Sequence, residues 1–90
     1  MSRLSSSEME RVIKKNSVYQ KHTGQYYYIM QFGFNGDTGE RVVICGNLEN
    51  TNDIIADSYG EFLGNFKEVS VVPDAMLASL QKFQKAYGSY

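Results

Sequence analysis

Asp37-Thr38-Gly39 spells the triplet that carries the catalytic aspartate of aspartic proteases, and a chain of 90 residues is long enough to be half of a dimeric one. That chemistry needs two aspartates sharing one proton, each in an apolar setting at the dimer axis. Here the triplet directly follows Asn35-Gly36, and Asn-Gly with a later glycine is the chemistry of a hairpin turn, so Asp37 is read as a turn residue. His22 is the sole histidine. A general base needs an orienting partner and a nucleophile beside it; the sequence identifies neither, and His22 reads as a loop residue bonding locally. Cys45, inside Val42-Val43-Ile44-Cys45-Gly46, reads as a small buried hydrophobe. One Cys and one His cannot complete a structural zinc site. Asn47, Glu49, Asn50, Asn52 and Asp53 could offer oxygens to calcium or magnesium, but they lack the EF-hand spacing and read as a solvated loop. Gly33, Gly36 and Gly39 lack the Gly-Lys-Ser/Thr of a phosphate loop. The expectation is no catalytic residue, no metal and no cofactor.

Binding chemistry is better represented. Tyr26-Tyr27-Tyr28 is the most distinctive local run. Aromatic strand faces can stack the bases of a single-stranded nucleic acid when cationic residues track its backbone. Only Lys21 and Arg41 could flank such a face, and a net charge of -1 adds no global attraction, which speaks against nucleic acid. Charge is unevenly spread, however. Arg11, Lys14, Lys15 and Lys21, with His22, crowd the N-terminal quarter. Between Asp37 and Asp74 the acids Asp37, Glu40, Glu49, Asp53, Asp57, Glu61, Glu68 and Asp74 face only Arg41 and Lys67. The layout suits a nucleotide or other anion near the basic end and a basic partner on the acidic side. A cleft holding such an anion would use Lys21, His22, Tyr26, Tyr28 and Arg41.

The elements that must position these residues follow from periodicity. Ser5 with Glu8, or Ser7 with Glu10, has capping-box spacing, and the apolar stripe Met9, Val12, Ile13 predicts a helix over 4–16. A β core is expected over 18–72. Val18 to Lys21 is a short strand turned by His22-Thr23-Gly24. Gln25 to Phe34 is the strongest strand: Tyr26, Tyr28, Met30, Phe32 and Phe34 alternate with Tyr27, Ile29, Gln31 and Gly33. Asn35 to Gly39 is its hairpin loop and Glu40 to Cys45 the return. Ile54-Ile55-Ala56 reads as a short buried run, Tyr59 to Asn65 as either one helical turn or an irregular corner, and Phe66 to Val72 as a last strand. Pro73 stops the sheet and suits a helix's first turn. A helix over 73–87 then carries Met76, Leu80, Phe83 and Tyr87 on one face, with Gly88 as its C-cap. That stripe would pack on the sheet or on a second copy of the chain.

Composition agrees with a folded domain. The chain is 42% hydrophobic with seven Tyr, five Phe and no Trp, whereas disordered chains are poor in aromatics. No apolar run approaches the roughly 20 residues that span a bilayer, and the N-terminus lacks a signal peptide's apolar core. A single cysteine precludes an internal disulfide. A soluble, cytoplasmic protein is expected, with no membrane partner.

The middle of the chain resembles a small uncharacterised bacterial and phage domain family. Its members read approximately Tyr-x-His-x-Lys-Gly-x-x-Tyr, then Thr-x-Glu-x-Val-Val-Tyr, then Trp-Val-Arg-Pro. The matching pieces are Val18-Tyr19-Gln20-Lys21-His22-Thr23-Gly24-Gln25-Tyr26-Tyr27, then Thr38-Gly39-Glu40-Arg41-Val42-Val43-Ile44, and Asp57-Ser58-Tyr59-Gly60-Glu61-Phe62. The Trp-Val-Arg-Pro block is missing, with Asp57-Ser58 standing at Arg-Pro. The resemblance implies a small β-barrel-like core and a microbial or phage setting; it implies no activity and no site residues.

Together these readings predict a single α+β domain over 1–90: a small antiparallel curled sheet or SH3-like barrel of four to five strands, flanked by an N-terminal and a C-terminal helix. The expected function is a non-enzymatic interaction protein, a phage-encoded regulator or inhibitor of a host protein. Its partner would be a host protein or a second copy in a homodimer, met through Met76, Leu80, Phe83 and Tyr87. The alternative is a module that sequesters a small ligand or nucleotide; a weak single-stranded nucleic-acid binder stands behind it.

Overall fold

The computed structural model describes residues 13–88 of the chain. Five antiparallel strands form one curled sheet: β1 (Val18–Lys21), β2 (Tyr26–Phe34), β3 (Arg41–Asn47), β4 (Ile54–Ser58) and β5 (Phe66–Val69). Helix α1 (Tyr59–Asn65) links β4 to β5, and helix α2 (Leu77–Tyr87) follows a 3-10 turn at Asp74–Met76. The strand order β4-β3-β2-β1-β5 makes a four-strand meander whose fifth strand returns to the far side of β1. Of the two expected forms the open curled sheet is present: β4 and β5 stand at opposite edges and the ladder is not closed into a barrel.

The predicted helix over 4–16 lies, up to residue 12, outside the described residues. At 13–16 the chain is a bend and turn, with Asn16 in the left-handed region at φ 67°. Ile13 is fully buried there.

Both faces of the sheet are covered, which explains why β2 carries large side chains on both sides. One core contains Tyr19, Tyr27, Ile29, Val43 and Cys45 beneath Phe62 and Phe66. The opposite core contains Val18, Tyr28, Met30 and Leu48 against Phe83 of α2. Strict alternation places Phe32 with Tyr28 and Met30, but the structure moves it to the Tyr27 face. The cause is a bulge: Ile29 pairs with Cys45 and Gln31 with Ile44, leaving Met30 as the extra residue. One inserted residue reverses the facing of every side chain beyond it.

Each local signal has a physical outcome. The β2–β3 loop is a turn as read, held by the Asn35 side chain, whose Oδ1 accepts from the backbone N–H of Asp37 at 2.9 Å. Only Gly39, at φ 72°, needs the left-handed region; Gly36 does not. The corner at 59–65 resolves as helix because Ser58 caps it, accepting from the Glu61 N–H. Its buried Phe62 stacks on Phe66, centroids 4.3 Å apart, and meets Tyr19 edge-on at 5.0 Å. Such pairs contribute roughly 0.5–1.5 kcal/mol beyond the area they bury. The run Ile54-Ile55-Ala56 is an edge strand in which Ile54 and Ala56 are exposed, not a buried run, because no described strand lies beyond β4. β5 ends at Val69, three residues before the predicted end, and Ser70 to Pro73 cross to the helix.

Candidate functional site

The five residues expected to line one cleft are divided by the sheet. Lys21 and His22 end β1 and begin its turn, beside Tyr26 at the start of β2. Arg41 pairs with Phe34 at the other end of β2, eight residues and therefore roughly 26 Å away along the strand. There its guanidinium lies over the Phe34 ring, 4.7 Å from the centroid. Tyr28 is at 0% exposure, donating its hydroxyl to Asn16 Oδ1 at 2.5 Å and stacking on Phe83. Its ring belongs to the core and offers no surface for a ligand. Tyr26 is half-buried against the Val18–Phe83 core.

Lys21 and His22 do share an opening. An open groove of about 490 Å³ lies where β1, β5 and the end of α1 meet, lined by Gln20, Lys21, His22, Leu63, Asn65 and Lys67. The two strands are locked in register, Lys21 opposite Phe66 and Gln20 opposite Lys67. The backbone N–H of His22 donates to Asn65 O at 2.8 Å, tying the β1 turn to the helix end. The Lys21 ammonium sits 5.9 Å from the centroid of the Phe66 ring. None of the lining residues is acidic. Leu63, Asn65 and Lys67 are not among the residues expected for the cleft; the β1–β5 pairing that sets Phe66 opposite Lys21 and Lys67 opposite Gln20 joins residues more than forty positions apart and leaves no local signal.

The stripe on α2 is spent largely inside the molecule. Phe83 is buried, and Met76 and Leu80 pack against the same core; Tyr87 is the exposed end, 6.2 Å from Phe83.

The second surface feature is the outer edge of β4. Asn47 N–H donates to Asp53 O at 3.0 Å, and bonded and non-bonded pairs alternate along an antiparallel ladder. In the observed register, Cys45 with Ile55 and Val43 with Asp57 are then the bonded pairs. The N–H and C=O of Ile54 and Ala56 accordingly point away from β3, where no described strand meets them.

The remaining reactive side chains have structural employment. Cys45 is fully buried, and desolvation, with Asp57 adding to it, pushes its thiol from 9.0 up to about 12. Asp37 sits in an exposed turn. In the 47–53 loop, Asn47 Nδ2 donates to Asp53 Oδ2 at 3.3 Å and Asn47 Oδ1 accepts from Glu49 N–H at 2.8 Å. Among the described residues no group of three His, Cys, Asp or Glu side chains is placed to hold a metal ion. No described helix is long and apolar enough to cross a membrane.

Fold and surface together define a small α+β domain built on an open five-stranded antiparallel sheet. Comparison with family models, curated proteins and solved structures finds no match to the chain.

Proposed function

We propose that the chain is a non-enzymatic interaction protein that binds a partner protein by adding one of the partner's strands to β4. The observation that carries this reading is the outward-facing backbone of Ile54 and Ala56 on an apolar edge strand that no described strand meets. Native proteins blunt exposed apolar edges with charge, proline or a covering element, because such an edge is a template for pairing. Strand addition uses main-chain hydrogen bonds for affinity and alternate side chains for choice of partner. Ile54, 44% exposed, would supply the apolar contact on one face. Asp53 and Asp57, within the acidic 37–74 stretch, favour a partner segment carrying Lys or Arg. The same acids disfavour a second copy at this edge. The resemblance to bacterial and phage domains supports a cytoplasmic, phage-encoded regulator that inhibits a host protein.

The test is Ala56→Pro. Proline on an edge strand with its nitrogen facing outward leaves the ladder to β3 intact while deleting one outward donor. The parent protein should retain a partner from host lysate that the variant, folded by circular dichroism, does not. Equal capture by both would overturn the β4 reading. A dimer in light scattering that the proline converts to monomer would assign the edge to a second copy instead.

A further inference from the structure

We infer that the β4 edge selects its partner strand by face, taking Lys or Arg opposite Asp53 and Asp57 and apolar residues opposite Ile54 and Ala56. The inference rests on the strand-addition reading and names the segment that this edge would take. Alternation along β4, extended to Asp53 by its backbone bond from Asn47 N–H, separates two surfaces. Asp53, Ile55 and Asp57 fall on the α1 side, where Ile55 packs against the core that holds Tyr27 and Cys45. Ile54 and Ala56 fall on the α2 side and are both exposed. Ile54 Cδ1 stands above Gly46 beside the Phe83 ring. Ala56 is paired with Ile44, which packs against the Phe83 core. One side of the edge is therefore acidic at two positions, and the other is apolar at Ile54 and Ala56.

The main chain sets how each surface is met. Ile54 and Ala56, whose N–H and C=O point away from β3, form the bonded pairs with an added antiparallel strand. The positions opposite Asp53, Ile55 and Asp57 are then the non-bonded pairs, where Cα atoms lie only about 4.5 Å apart and side chains meet most closely. Charge is read where the contact is shortest. The two acids already act on their own face: Tyr27 is raised by burial, with Asp53 and Asp57 adding to it, and Cys45 by burial and then Asp57. Arg41, on the neighbouring strand, lies over the Phe34 ring on the β2 side. A carboxylate placed opposite either Asp would be repelled. On the α2 side, the small Ala56 leaves room for a large side chain to reach over it toward Ile44. In antiparallel order the segment reads Lys or Arg, large apolar, any residue, apolar, Lys or Arg.

The probe is a cyclic β-hairpin whose outer strand carries Lys-Leu-Thr-Val-Lys with the Leu and Val amides facing outward, titrated into the full chain and followed by amide-resolved NMR. Cyclisation lowers the ordering cost and fixes the facing of each side chain. The hairpin should saturably shift the amides of Ile54 and Ala56. A Glu-Leu-Thr-Val-Glu hairpin should bind at least about tenfold more weakly, since two cross-strand pairs change from attraction to repulsion. A Val-Lys-Thr-Lys-Leu hairpin, of the same composition with the faces exchanged, should also lose affinity. Asp57→Lys should bind the Glu hairpin more tightly than the parent does. Equal affinity for the three hairpins at these amides would overturn the inference while leaving strand addition at β4 in place. Absence of saturable shifts at Ile54 and Ala56 with every hairpin would overturn it too, as would shifts that persist in Ala56→Pro. The lysate comparison of parent and Ala56→Pro judges the strand-addition reading separately.

Discussion

Tyr28 lies flat against Phe83, ring centroids 5.6 Å apart and planes 6° from parallel. The pair joins the central strand to the C-terminal helix, and it decides what the helix is for. A tyrosine that might have faced a ligand and a phenylalanine that might have faced a second copy are used on each other. Both are buried, and the Tyr28 hydroxyl is satisfied by Asn16.

Removing the ring from this contact should release the helix. Phe83→Ala deletes a buried aromatic and leaves a cavity, a loss of roughly 3–5 kcal/mol. That is a large part of the roughly 5–15 kcal/mol that holds a domain folded. Tyr28→Phe keeps the stack and loses only the hydroxyl bond, at a cost of about 1 kcal/mol. Urea unfolding of the two variants should show this order; equal small losses would mean that α2 is not docked as described.

Gly46 should also resist substitution, for a reason specific to it. A Cβ at this position would stand 2.8 Å from Phe83 Cε1, closer still to Cζ, and 3.2 Å from Ile54 Cδ1. The strand allows the helix's ring to approach only because no side chain intervenes. Gly46→Ala should destabilise by roughly 1–3 kcal/mol, the usual cost of overpacking. Adding Phe83→Leu should recover part of that loss, giving a coupling that a double-mutant cycle reads directly. Strict additivity would show that the ring is not what the new methyl meets.

How far the sequence could anticipate this arrangement depends on the range of the signal. The turn at 35–39, the helix after Pro73 and the covered faces of β2 were legible, because turn chemistry and periodicity are local. The side of Phe32 was not: a bulge at Met30 changes facing without changing any residue type. Ile54 and Ile55 read as buried because an apolar run does not say whether its strand is central or at an edge. The groove escaped because its walls come together only through the return of β5 to β1. Arg41 and Lys21 read as neighbours only when the length of β2 between them is ignored.

The two glycines of the β2–β3 loop should respond oppositely to the same substitution. Gly39 sits at φ 72°, where a side chain meets its own backbone. Gly39→Ala should cost roughly 1–2 kcal/mol. Gly36 has an ordinary φ and open space around its missing Cβ. Gly36→Ala should be neutral or stabilise by up to about 1 kcal/mol, since it restricts the unfolded chain more than the folded one. Thermal midpoints moving in the same direction for both would contradict this turn geometry.

Alkaline stability should carry the signature of Cys45. Burial, reinforced by Asp57, raises its thiol from 9.0 to about 12 in the folded protein. The folded state therefore holds a proton that the unfolded state has released, over the window between those two values. Stability changes with pH in proportion to protons bound unfolded minus protons bound folded, which is negative here. It should fall as pH rises from about 9, with a limiting slope of about 1.4 kcal/mol per pH unit from this one group. Tyr27 and Tyr19, both raised by burial, add losses of the same sign above 10. Cys45→Val keeps an apolar side chain of similar size and removes the titration. The difference in unfolding free energy between parent and variant should be flat below pH 9 and move steadily toward the variant above it. A difference that stays constant through pH 11 would show that the thiol ionises as readily folded as unfolded, and that Cys45 is reached by solvent.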